Sequence, residues 1–165
     1  MTIEVVTESG RPEMSRIRLR TNEDWPALLD LWVASWKMIF PDIDFDARRD
    51  WLTRQIETLE GAGALTLCLE EMPPASLAGF VVIDPVSGWL DQICVEPACS
   101  GKGYGERLLR AAREFSPGLV QLDVNVENLR AIRFYERNGF NRIGGGNNPL
   151  SGRPTIKMEW RENSN

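Results

Sequence analysis

Three glycines stand at alternate positions in the stretch Ser100-Gly101-Lys102-Gly103-Tyr104-Gly105. An apolar run ending Ile93-Cys94-Val95 precedes it, and a periodic run reaching Phe115 follows. The first N–H groups of a helix lack partners and lie at the positive end of its dipole, so they bind anions. Glycines let a phosphate approach that backbone without Cβ atoms in the way, and they allow a positive φ. Lys102 adds a cation at the rim. The stretch is therefore a candidate diphosphate cradle. It is not a Walker loop, because Gly103 rather than Ser or Thr follows Lys102. It is not the dinucleotide fingerprint GxGxxG, because Glu106 takes the last glycine's place. A glycine-rich turn without a ligand stays open at this point.

The chain of 165 residues contains no histidine. That removes Ser–His and Cys–His nucleophile systems and the usual histidine metal sites. Acid–base chemistry falls to Asp, Glu, Tyr, Lys, Cys or water. Cys68, Cys94 and Cys99 form no CxxC pair, so neither a disulfide frame nor a zinc site is suggested. Cys94 and Cys99 read as small buried residues rather than nucleophiles.

The elements that must position these groups follow from periodicity. Residues 1–15 are polar, with Gly10 and Pro12, and read as a loose arm before a single domain, 16–165. Ile17 and Leu19 alternate with arginines, a strand signal. Trp25, Leu28, Leu29, Trp32 and Trp36 recur at helical spacing behind a Thr21 or Asn22 cap. A second helix runs from Asp44 to Glu60 and ends at Gly61 and Gly63. Three strands follow, over 64–71, 77–84 and 88–95, the first two as a hairpin across Pro73 and Pro74. The helix after Gly103 stops at Ser116-Pro117-Gly118. A strand over 119–126 leads to a helix that Asn128 caps and Gly139 closes. Residues 140–143 and 155–160 finish as short strands around the loop 144–154. This order indicates an α+β sheet with helices on both faces.

The net charge of −5, from 24 acids and 19 bases, disfavours a broad nucleic-acid surface. No apolar run approaches the roughly 18 residues of a membrane span. The N-terminus lacks a basic start followed by a long apolar stretch, so the expected location is cytoplasmic.

Asn128, Ala131, Tyr135, Gly139 and Phe140 stand in the spacing N-x-x-A-x-x-x-Y-x-x-x-G-F. Together with Ser100 to Gly105 upstream, this resembles the GNAT acyl-CoA N-acyltransferases. The resemblance is specific from Leu90 to Phe140. It implies the GNAT fold: a mostly antiparallel twisted sheet of six to seven strands, with a splayed parallel pair at the cofactor cleft. It implies that Gly101, Lys102, Gly103, Tyr104 and Gly105 hold the CoA diphosphate. Ser100 stands where the family's loop carries Gln or Arg. By the same resemblance, backbone at Ile93, Cys94 and Val95 pairs with the pantetheine arm, and Asn128 touches it as well as capping its helix. Tyr135 is implied near the CoA sulfur. A phenol, with a reference pKa of about 10, keeps its proton at neutral pH and can give it to the leaving thiolate. A core tyrosine is the plainer reading. Asp91 is the implied base for the incoming amine, with Glu70 and Glu71 as runners-up and an ordinary strand acid as the alternative.

The activity implied is transfer of an acetyl group from acetyl-CoA to a primary amine, by direct attack in a ternary complex and without a metal. Alternatives are a non-catalytic CoA-binding regulator and a protein lysine or N-terminal acyltransferase. The expected partner is a small-molecule amine, with no nucleic acid and no membrane; homodimers are common in the family. For the acceptor, Trp25, Trp32, Trp36, Phe40, Phe45 and Trp51 are core residues first and pocket candidates second. Asp42, Asp44 and Asp46 either attract a cationic amine or are simply solvated. The loop 144–154 is either a lid or a plain hairpin connection.

Overall fold

The computed structural model describes residues 2–3, 14–72 and 74–163. Much of the expected N-terminal arm, residues 4–13, lies outside them. Thr2–Ile3 (β1) pairs with Ser15–Leu19 (β2). The other strands are Leu65–Glu71 (β3), Ser76–Ile83 (β4), Leu90–Val95 (β5), Leu119–Asn125 (β6), Asn141–Asn147 (β7) and Pro154–Arg161 (β8). The helices are Trp25–Ile39 (α1), Arg49–Gly61 (α2), Tyr104–Phe115 (α3) and Leu129–Arg137 (α4).

β1 to β5 form one antiparallel sheet in chain order, and β6-β8-β7 form a second. The central strands β3 and β4 are buried at most positions because helices cover both of their faces. Leu67, Leu69, Val81 and Ile83 meet α3 and α4 through Leu108, Leu109 and Ile132. Cys68, Phe80 and Val82 meet α1 and α2 through Leu28, Trp32, Leu52 and Ile56. This is the α+β sheet with two helical layers that the element order implies.

The two sheets touch at one parallel bridge, between Trp89 and Gln121. Gln121 N–H donates to the Gly88 carbonyl at 2.9 Å in the same joint. Gly88 has φ +79°, and a Cβ there would lie 2.0 Å from the Leu119 carbonyl oxygen. Only glycine fits so close an approach. Beyond the joint β5 and β6 separate, and among the described residues the outer edge of β5 pairs with no strand. This is the splayed parallel pair.

One strand is longer than the sequence suggests. β7 runs on through Gly144, Gly145 and Gly146 to Asn147, each register position matched on β8. Glycine disfavours strand, but cross-strand pairing outweighs that local preference. The loop that remains spans 148–153. Asn148 Oδ1 accepts from the N–H groups of Leu150 and Ser151, and Arg153 Nη1 lies 2.8 Å from Glu127. The segment is a pinned turn rather than an open strap.

Candidate active site

The glycine stretch leaves β5 through a short 3₁₀ turn, Pro97–Cys99, whose start is capped by Glu96 accepting from the Ala98 N–H at 3.1 Å. The chain then enters α3 through two left-handed glycines, Gly101 at φ +84° and Gly103 at φ +77°. Gly103 is the N-cap residue and has no side chain to offer the first-turn N–H groups. A Cβ built at Gly101 or Gly103 would meet nothing within 4 Å. A helix start without a side-chain cap, entered through two bare glycines, is an arrangement able to bind a diphosphate.

Gly105 differs. A Cβ there would lie 3.3 Å from the Phe134 ring, so its bareness brings α3 close to α4. Lys102 is not a free cation: its Nζ sits 2.9 Å from Glu71, which holds the Glu71 carboxyl below its ordinary range. The Tyr104 phenol is pushed up, by burial first and by the neighbouring Glu71 carboxylate second. Ser100 Oγ accepts from Arg130 Nη2 at 2.9 Å, so a guanidinium from the first turn of α4 reaches the position the loop itself leaves short. The sequence reading missed Arg130, because the contact joins segments thirty residues apart.

α4 begins at Asn128, whose Oδ1 accepts from the Ala131 N–H at 3.2 Å. Capping is therefore one observed use of that side chain. Tyr135 is buried, with its ring centroid 5.4 Å from that of Phe134 and 5.5 Å from that of Phe140. Burial first, and the nearby Cys94 second, hold its phenol well above the ordinary range. Its proton stays in place through neutral pH. Burial likewise pushes the Cys94 thiol up to about 12, which removes it as a nucleophile at neutral pH. Gly105, Val95, Cys94 and Tyr135 thus bring the start of α3, the free end of β5 and the middle of α4 together. Ile93 and Val95 pack on the α3 and α4 side of β5, while Cys94 belongs to the α1 and α2 side.

Asp91 sits in a β-bulge. Leu90 pairs with Ile83 and Gln92 with Val82, leaving Asp91 as the extra residue. The bulge turns two successive side chains toward the α1 and α2 layer. Asp91 Oδ1 accepts long bonds, both 3.4 Å, from Gln55 Nε2 and Trp89 Nε1, and Oδ2 is buried without a partner. Gln92 Oε1 accepts from Trp32 Nε1 at 3.2 Å. Burial dominates at Asp91 and raises its pKa against those bonds. A carboxyl raised in the fold loses stability as pH climbs from the ordinary Asp range, about 3.9, through its folded value. Asp91→Asn should therefore raise the melting temperature at pH 7, with the gain vanishing near pH 4. Melting curves across that range check it; a lower melting temperature at pH 7 would mean the carboxylate is held by its partners after all.

The runners-up are engaged elsewhere. Glu70 takes Arg16 and Arg18, each at 2.9 Å, and Glu71 takes Lys102. Desolvation opposes those arginines at Glu70, yet its pKa is net lowered.

On the α1 side of the splayed strands lies a pocket of about 60 Å³. Gln92 of β5 and Asn125 of β6 line it from the two sheets, and the turn 148–153 closes over it. Trp36, Phe40 and Trp51 form aromatic walls. Asp91, Asp42, Asp44 and Asp46 are not among its lining residues. Asp46 pairs with Lys37 and Arg49, and Asp44 accepts from the Ala47 N–H. The aromatic-rich sequence signalled this region; Gln92 and Asn125 gave no signal apart from being polar residues in apolar strands.

An antiparallel sheet that splays at a glycine-led helix, with a buried tyrosine at the split, defines an acyl-CoA N-acyltransferase architecture. Residues 25–140 match the Acetyltransferase (GNAT) family, and the chain belongs to it. The chain is 30% identical over 145 residues to the peptidyl-lysine N-acetyltransferase YiaC of Escherichia coli, covering 87% of this chain and 95% of that one. It is 43% identical over 53 residues to the N-alpha-acetyltransferase RimI of Mycobacterium tuberculosis, 32% of this chain and 34% of the relative. The chain thus matches about a third of the length of several of its relatives. The fold is that of the PaiA N-acetyltransferase of Thermoplasma acidophilum, solved with coenzyme A. The TM-score is 0.72 at 20% identity, over 89% of this chain and 98% of that one. Among the described residues no group of three His, Cys, Asp or Glu is placed to hold a metal, and no helix is long and apolar enough to cross a membrane.

Proposed function

We propose that this protein transfers an acetyl group from acetyl-CoA to a primary amine by direct attack in a ternary complex. The observation that carries the reading is the meeting of the open α3 N-terminus, the edge of β5 that no described strand pairs, and the buried Tyr135. The amides after Gly103, with Gly101 beside them and Arg130 across the loop at Ser100, hold the diphosphate. The free edge of β5 from Ile93 to Val95 pairs with the pantetheine amides. Asn128, at the head of α4, reaches the same arm.

The acceptor enters from the α1 side. Its ammonium gives a proton through water to Asp91, which lies behind the pocket wall, and the freed lone pair attacks the thioester carbon. A C–N bond forms, the nitrogen gives its second proton to solvent, and the C–S bond breaks. Tyr135 donates its proton to the departing thiolate and regains one from solvent, so the products are the acetamide, CoA thiol and one released proton. Holding both reactants in one cleft supplies much of the rate, since effective molarities reach about 10⁵ M. Backbone N–H near Val95 polarises the thioester carbonyl.

Thermal-shift titration tests the donor. A ligand at 100 times its Kd adds about 2.7 kcal/mol of stability, a clear rise in melting temperature. Acetyl-CoA and CoA are expected to stabilise the protein, and ATP is not. Absence of any CoA effect would remove the reading. CoA binding without thiol release, across a broad amine set, would leave a non-catalytic CoA-binding protein. YiaC's likeness over most of the chain favours a second reading, a protein lysine as acceptor. Acetylated lysines in a peptide library, with no turnover of small amines, would select it.

A further inference from the structure

The aromatic pocket beside β5 has a charge pattern that narrows the acceptor. Its lining includes Arg48 and Arg153 and, among the described residues, no carboxylate. Arg153 lies over Phe40, 4.8 Å from the ring centroid, but is balanced by Glu127. Arg48 lies 5.3 Å from the Phe45 centroid and has no carboxylate partner among the described residues. A second donor goes unused: Trp36 Nε1 is buried with no acceptor among the described residues. A buried N–H without a partner is costly unless a ligand supplies the acceptor. An aromatic wall suits a flat apolar body, and a guanidinium suits a carboxylate. The unbalanced guanidinium of Arg48 disfavours a polycation.

We propose that the acceptor is a small primary amine carrying an aromatic body and an anionic group, with the ring against Trp36, Phe40 and Trp51 and the anion on Arg48. Gln92 and Asn125, from the two splayed strands, flank the amine end. This deepens the acyl-transfer reading and rests on it for the chemistry, though not for binding.

Phenylalanine and phenethylamine differ by a single carboxylate and form the test pair, with spermidine as a polycation. Calorimetry on the CoA-saturated protein is expected to show phenylalanine binding at least tenfold tighter than phenethylamine, with spermidine weakest. Arg48→Gln should bring the aryl pair within twofold, and Arg48→Lys should keep most of the difference, which guards against a folding defect. Phenethylamine binding as tightly as phenylalanine, spermidine binding best, neither aryl compound binding, or a preference that survives Arg48→Gln would each overturn the proposal. If CoA fails to bind, the aryl titrations are run on the protein alone. A carboxylate preference there, lost in Arg48→Gln, upholds the anion site while the acyl-transfer reading falls.

Discussion

Tyr135→Phe is expected to lower kcat about a hundredfold, within the range of about 10² to 10⁴ that general acids contribute. The change deletes one oxygen and keeps the ring between Phe134 and Phe140. Packing should survive, and the melting temperature should move little. CoA affinity should stay within twofold, because the hydroxyl is asked to act on sulfur only as the C–S bond breaks. Thiol release measured against acetyl-CoA concentration gives kcat, and calorimetry gives the affinity. A loss confined to kcat marks an interaction made in the transition state. Burial holds the phenol far above its ordinary pKa, so wild-type kcat should not fall between pH 7 and 9 through loss of this proton. If kcat is unchanged in the phenylalanine variant, solvent or another group protonates the thiolate.

Local rules carried most of the frame. The runs that became β3 and β4 read as a hairpin because Pro73 and Pro74 punctuate them, and the structure pairs them antiparallel. Leu108, Leu109 and Ala112 gave α3 its buried stripe, and Asn128 announced the start of α4. Features made by contact between distant segments were silent. No residue type marks the Asp91 bulge; it arises where β5 must pair with β4 while its lower end is tied to β6 at Trp89. The bulge decides that Gln92, and not Asp91, faces the aromatic pocket. The Arg130 contact with Ser100 crosses two helices' starts and has no local signature. The glycines of β7 read as loop because their partner strand lies beyond the turn that follows. The first-helix tryptophans divide between roles that spacing alone does not separate. Trp32 is 2% exposed and belongs to the core as well as the pocket wall, whereas Trp36 is half-buried and keeps a free N–H.

Gly103→Val is expected to weaken CoA binding at least a hundredfold. Two effects combine at this position. The backbone sits at φ +77°, which a β-branched residue adopts at a cost of about 1–3 kcal/mol. The side chain would also project beside the uncapped amides of α3, into space that nothing in the protein fills. If strain alone acted, stability would drop and the remaining folded molecules would bind CoA normally. Gly63 provides that control: its φ is +109°, its Cβ position is also open, and it lies in the turn between α2 and β3, away from the cleft. Gly63→Val should lower the melting temperature and leave CoA affinity unchanged. Gly103→Val should lower both, with kcat/KM for acetyl-CoA falling in step with affinity. The opposite pattern, a destabilised Gly103→Val protein with normal CoA affinity, would move the diphosphate off the α3 N-terminus. The uncapped helix start would then be a packing device, and Arg130 would need another partner than the CoA phosphates.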